Sequence, residues 1–333
     1  MISILKRQID LRQTAHDTYT ASWHSDWVLG STLHGGCVAA IIHYTAATHL
    51  ATEPALVRRN QPDILKLQIE FLRACERCES TVTVTILKLG ATSSILQLQL
   101  SQNGQVKIHA LATSTDFEKP LGPTVRTAWS LLPHPKPVPD FDRVKAHQPE
   151  PNWVPARLSG EIIPFTSRML ILDPRGGFPF DGICDAWNGF QENEYMDSTY
   201  LAMMADTLPS MSDTLLRNGG LYDAHAFYDK AEVWARENPG VPAEITNSIS
   251  EALQASTFNQ TISLDIVFKR RLPTKGIPWI FTRTATKMLD GGRMNVDVTI
   301  CNQDMELLCE SHQLVLVLEA QRKFRGSKEG SVL

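Results

Sequence analysis

The chain has 333 residues, 43% hydrophobic and 20% charged, with a formal net charge of -4. That length accommodates two domains of ordinary size, each burying its own core, and the mild acidity offers no electrostatic attraction for nucleic acid or an anionic membrane. No apolar run reaches the roughly 18–20 residues that would span a bilayer, and nothing at the N-terminus reads as a secretory signal.

The first strong prediction along the chain is a helix after His34-Gly35-Gly36, where Val38, Ile41, Ile42 and Ala46 share one face at helical spacing. Strands follow it. Val82, Val84 and Ile86 alternate with threonines, Leu96, Leu98 and Leu100 alternate with polar residues, and Val106, Ile108 and Ala110 keep the period of two. From Glu118 the composition changes: nine of the chain's 19 prolines lie between Pro120 and Pro155. Such density excludes a helix interior or a central strand and predicts an extended connector. The expected division is therefore a first domain over 1–117, a proline-rich linker over 118–155 and a second domain over 156–333.

In the second half Asp197 or Ser198 is a good helix N-cap, and Leu201, Met204, Ala205 and Leu208 form the apolar stripe of the helix that follows. Two more helices are predicted near 212–237 and 243–255, inside a segment (about 210–256) that reads as an insertion. Strands are predicted near 260–271, 279–287, 293–301 and 307–318, with Gly291-Gly292 at a turn. The halves thus repeat one order of elements. Gln68-Ile69-Glu70-Phe71-Leu72-Arg73 also aligns with Asp265-Ile266-Val267-Phe268-Lys269-Arg270, at an offset of 197 residues from Phe71 to Phe268. One long helix followed by an antiparallel sheet, made twice, predicts an α+β double hotdog, with each helix buried by the sheet that wraps it.

Four segments carry a family resemblance: Leu33-His34-Gly35-Gly36, the run from Met203 to Pro209 containing Asp206, the run from Thr261 to Arg270, and the run from Asp304 to Gln313. On these segments the chain resembles the double-hotdog acyl-CoA thioesterase II family and its fungal thioesterase-like relatives, over most of both halves. The resemblance implies an acyl-thioester hydrolase in which Asp206, Thr261 and Gln313 hold one attacking water. The residue types suit that role. A desolvated Asp206, expected near the centre of its helix, is a general base; Thr261 and Gln313 orient the water by hydrogen bonds, and Gln313 does so without competing for its proton. Gly35 and Gly36 at a helix N-terminus present unobstructed N–H groups suited to an oxyanion. Ala112 stands where the first half would need a counterpart of Gln313, so one site per chain is expected. His34 and His312 are left outside the group.

Two features depart from the family pattern: 55 positions separate Asp206 from Thr261, and Ser263-Leu264 replaces an Asp-His pair common after that threonine. The insertion's Tyr222, Phe227, Tyr228 and Trp234, with Phe258 near its end, read either as a flap over an acyl chain or as a helical pair on the sheet edge. Lys269, Arg270 and Arg271 are either surface charge or a reception site for coenzyme A phosphates. The expected substrates are acyl thioesters of coenzyme A or of an acyl carrier protein, with no cofactor and no metal. The single Cys75-x-x-Cys78 pair lacks a second ligand pair. Homo-oligomers are compatible with the reading. Six scattered cysteines point to the cytoplasm, with the peroxisome as alternative because Ser331-Val332-Leu333 partly matches a C-terminal signal. The rival readings are a non-catalytic acyl-binding hotdog protein and a hotdog hydratase or dehydratase. The chain's Asp-x4-His spacing, Asp142 to His147, falls in the connector and not beside a core helix.

Overall fold

The computed structural model describes residues 2–190, 193–207, 209–219 and 223–320. Apart from the short pair Val28–Leu29 and Thr32–Leu33, its strands join into one long sheet whose centre is the antiparallel pair Asp63–Phe71 and Thr257–Phe268. Reading outward from Asp63–Phe71, the first half continues through Gln105–Thr115, Ser94–Gln102, Ser80–Leu89, Thr18–Ala21 and Arg12–Ala15. Outward from Thr257–Phe268, the second half continues through Leu307–Glu319, Arg293–Cys301, Trp279–Ala285, Ile183–Phe190 and Met169–Pro174. The two series mirror each other, which is the double hotdog expected of the duplication. In the central pair Gln68 lies opposite Asp265. These residues are 197 apart, the offset of the sequence match, so the two-fold relation between halves passes between them.

Alternation along the strands decides which face is buried. Val82, Val84, Leu96, Leu98, Leu100, Ile108 and Ala110 all turn inward. Against them lies the helix Gly35–Thr52, whose buried residues run almost all round it, from Gly36 through Ile41 and Ile42 to Leu50. The second helix is shorter than the sequence suggests. It spans Ser198–Met204, capped by Asp197 Oδ1 accepting from the Thr199 and Tyr200 amides at 2.9 and 3.1 Å. Pro209 stops any continuation by removing a donor and disfavouring helix just before it. Leu208, assigned to this helix's stripe, lies outside the described residues.

Beyond the mirrored series, two strands extend the sheet at the second half's edge. Trp153–Gly160 pairs with Met169–Pro174, and Ala243–Asn247 adds to it in parallel at the sheet edge. The first begins inside the stretch read as linker. Pro155 is tolerated there because the parallel ladder starts only at Ala156. The second replaces the helix predicted over 243–255. Its five residues alternate buried and exposed, a short strand pattern, and only Ile249–Ala252 beyond it is helical. The predicted helix over 212–237 is two helices, Met211–Leu216 and Ala224–Glu237. The longer one lays Tyr228, Ala231 and Ala235 on Val154 and Ala156; Tyr222 lies outside the described residues.

The proline-rich connector crosses the outer face of the second half-sheet. Phe141, on the short helix Phe141–Lys145, stacks on Trp279 with centroids 4.8 Å apart and meets Trp187 edge-on at 5.0 Å. Trp153 Nε1 donates to Pro137 O at 2.6 Å. Beyond the connector's start, Arg271 grips Asp63 with two bonds of 2.8 and 2.7 Å and Asp116 with one of 2.9 Å. No helix among the described residues is long and apolar enough to cross a membrane.

Because the Phe141 ring fills a cluster of aromatic side chains, Phe141→Ala is expected to destabilise the fold by about 3 kcal/mol. Urea denaturation measures this; a loss below about 1 kcal/mol would mean that the ring does not anchor the connector.

Candidate active site

The central strand pairing brings the two helices together antiparallel, with Gly36 beside Met203 and His43 Nδ1 at 3.2 Å from Thr199 Oγ1. The approach at Gly36 is so close that a Cβ there would stand 2.4 Å from Met203 O. At Gly35 a Cβ would stand 2.5 Å from Asp206 Oδ2. Gly36 is therefore required sterically for the helix crossing, and a side chain at Gly35 would displace the Asp206 carboxyl. Asp206 lies two residues past the end of Ser198–Met204, in a turn, and not near a helix centre as expected from the sequence. It is still desolvated, its side chain only 11% exposed.

Gln313 is fully inside, on the inner face of Leu307–Glu319, and its Nε2 donates to Ala205 O at 2.8 Å. Thr261 reaches the same face through a β-bulge. Leu264 faces Gln313 and Thr261 faces Val315, both inward, although Thr261 and Leu264 are three positions apart. Regular alternation would send Thr261 outward; the extra residue in the bulge turns it back. The first half repeats the bulge between Ile64 and Lys66. Stepping back 197 residues, Ile64 stands in place of Thr261, and Leu67 faces Ala112 as Leu264 faces Gln313. The first half thus has no polar set of its own at these places.

Burial pushes the Asp206 carboxyl above the usual carboxylate range. His34, the Gly36 amide and the Gln313 side chain oppose this by favouring the charged form. His34 Nε2 lies 3.8 Å from Asp206 Oδ2; burial lowers the imidazole's own pKa and the nearby Asp206 charge opposes that shift. His34 Nδ1 is buried without a hydrogen-bond partner among the described residues. The histidine set aside in the sequence therefore belongs to the group, whereas His312 is exposed and pairs with Asp297 at 2.5 Å. Its position directly before Gly35-Gly36 was the available signal. Lys269, Arg270 and Arg271 are each paired with carboxylates: Glu310, Glu306, and Asp63 with Asp116.

A cavity of about 180 Å³ opens beside these groups, between the inner face of the second half-sheet and the start of the insertion. His34 and Thr207, neighbours of Gly35 and Asp206, line its near part. Met169, Ile171, Leu158 and Phe227 supply apolar wall. Asn259 Nδ2 donates to Ser210 Oγ at 2.9 Å, tying the roof to the strand two residues before Thr261. Asp173, 5% exposed, also lines the cavity, and its Oδ2 is buried without a partner among the described residues. Burial alone pushes its pKa up to about 7. The sequence carried a sign of it: a lone charge in the otherwise apolar strand Met169–Pro174.

The chain matches the acyl-CoA thioesterase N-terminal domain family over residues 23–115 and the acyl-CoA thioesterase C-terminal domain family over residues 138–317. It is 23% identical to the thioesterase-like protein TwmA of Talaromyces wortmannii over 334 aligned positions, covering 94% of this chain and 91% of that one. Among solved structures it is similar to a conserved protein with a hot dog fold from Alicyclobacillus acidocaldarius, at a TM-score of 0.66 and 14% identity, covering 95% and 98% of the two chains. It is also similar to the acyl-CoA thioesterase II TesB2 of Mycobacterium marinum, at 0.59 and 17%, covering 95% and 97%.

A carboxyl raised to about 7 in the fold and titrating near 3.9 unfolded weakens the fold as pH rises between those values. Asp173→Asn is therefore expected to melt several degrees above the wild type at pH 8, by roughly 2–4 °C per kcal/mol recovered, with the gain shrinking toward pH 4. Thermal melts across that range test it; an equal or lower melting temperature at pH 8 contradicts it.

Proposed function

The chain belongs to the acyl-CoA thioesterase family and is a thioester hydrolase, and on that premise we propose that a water held by Asp206, Thr261 and Gln313 attacks the acyl carbonyl directly. The observation that carries this reading is the desolvated Asp206 carboxyl with the buried Gln313 amide beside it, next to a cavity; the register that gives Thr261 the same face as Gln313 supports its inclusion. Asp206 takes the proton from the water as its oxygen bonds to the carbonyl carbon. Collapse of the tetrahedral adduct breaks the C–S bond, and the departing sulfur receives the proton from Asp206. Thr261 and Gln313 aim the oxygen lone pair and do not titrate. The start of the helix Gly35–Thr52 faces the reacting group with its positive dipole end, which favours negative charge on the carbonyl oxygen.

The substrate is an acyl thioester on coenzyme A or on an acyl carrier protein, since both present the same bond on a phosphopantetheine arm. The ion pairs of Lys269, Arg270 and Arg271 leave those side chains committed to carboxylates, so the reading assigns them no part in holding phosphates.

Thiol release from a panel of acyl-CoA and acyl-carrier thioesters tests this. The wild type is expected to turn over, and Asp206→Asn to lose on the order of 10²–10⁴ in kcat while remaining folded. Because Asp206 must be ionised and burial raises its pKa, kcat/KM should fall with acid along a limb lying above the ordinary carboxylate range. Undiminished turnover by Asp206→Asn would remove Asp206 from the reaction.

A further inference from the structure

The cavity that begins at His34 and Thr207 continues across the sheet to Asp173. From the strand of Gln313 to that of Asp173 there are four steps between neighbouring strands, roughly 19 Å measured along the sheet at about 4.8 Å per step. A pocket for a plain hydrocarbon tail has no use for an acceptor at its far end. Beside it on the wall, Asn188 Nδ2 donates to Thr282 Oγ1 at 2.9 Å, and Thr282 Oγ1 donates to Ala186 O at 3.3 Å. Asp173 is different, because its Oδ2 has no donor among the described residues and the side chain is closed off from solvent. A buried acceptor left unmatched is a standing cost to the fold, offset only when something brings it a donor.

We propose that Asp173 accepts a hydrogen bond from a hydroxyl or amino group at the distal end of the acyl chain, and so selects polar-ended acyl groups over plain hydrocarbon ones. The proposal rests on the reading of the cavity as the acyl site of a thioesterase. It explains why an acid is kept in a strand that is otherwise apolar. It also explains the short second helix: ending at Met204, it leaves the inner face beyond it to the roof formed by Pro209, Ser210, Ala224 and Phe227, with space beneath. A site that reads a hydrogen-bonding group rejects the analogue lacking it more sharply than a hydrophobic slot rejects a methylene.

The test separates binding from turnover. Affinity is measured by calorimetry for non-hydrolysable S-alkyl coenzyme A thioethers, octyl to dodecyl, each with and without a terminal hydroxyl or amino group. The wild type is expected to bind one polar-ended series at least tenfold more tightly than its plain counterpart. Asp173→Leu should abolish or reverse that preference, while Asp173→Asn, which keeps an acceptor, should retain part of it with the hydroxyl series. The same variants, assayed by thiol release on the corresponding acyl thioesters, should show the shift in KM more than in kcat. A preference ratio that is the same in the wild type and Asp173→Leu at every chain length overturns the proposal. Polar-end preference without any hydrolysis would leave this inference standing and sink the hydrolytic reading; hydrolysis without the preference would do the reverse.

Discussion

Everything in this molecule depends on the antiparallel pairing of Asp63–Phe71 with Thr257–Phe268. It joins two half-sheets at equivalent strands, with Gln68 against Asp265, and thereby makes one sheet with one continuous inner face. Two helices on that face must then lie against each other. Their closest approach is set by Gly36, where any side chain would collide with Met203 O. The consequence for chemistry is direct: the N-terminus of the first helix, with His34, Gly35 and Gly36, meets the chain just after the second helix, where Asp206 turns inward. The group of residues is built across the two halves, and neither half contains it alone.

Duplication supplied the frame, and divergence supplied the polarity. The bulge that turns Thr261 inward occurs in both halves, but the first half places Ile64 there and Ala112 opposite Leu67. The second half adds two strands at the sheet edge, a shorter helix and the roof over the cavity. The connector covers the other face with Phe141 and so completes a core for the aromatic side of the second half-sheet. The electrostatics follow from the packing. Asp206 is desolvated but surrounded by groups that favour its charge, whereas Asp173 is desolvated with no such help. The first arrangement suits a base that must ionise; the second suits an acceptor waiting for a ligand.

Much of this was legible in the sequence where periodicity is strong and repeated. Alternation placed the strands around Val82, Leu96 and Val296, and the repeat of Gln68–Arg73 at Asp265–Arg270 marked the very strands that pair at the centre. Short elements were not legible. Ala243–Asn247 is a five-residue alternating run inside a segment of helical composition, and only its neighbour Trp153–Gly160, distant in sequence, makes it a strand. The helix before Asp206 is shorter than its apolar spacing suggests, because Pro209 removes a donor and disfavours helix just before it. A lone histidine such as His34 carries little signal in a sequence; its nearness to Asp206 is a product of the helix crossing. Asp173 is visible as an isolated charge in Met169–Pro174, but its lack of a partner is a tertiary fact.

If the proposed mechanism holds, water attacks the acyl carbonyl directly, with Asp206 as base and never as nucleophile. A single-turnover reaction in water labelled with heavy oxygen, followed by mass analysis of the released acid and of the peptide containing Asp206, tests this most directly. Direct attack puts label in the acid from the first turnover and none in Asp206. Unlabelled acid in that first turnover, with label appearing in the Asp206 carboxylate, would mean an acyl-enzyme anhydride and would contradict it.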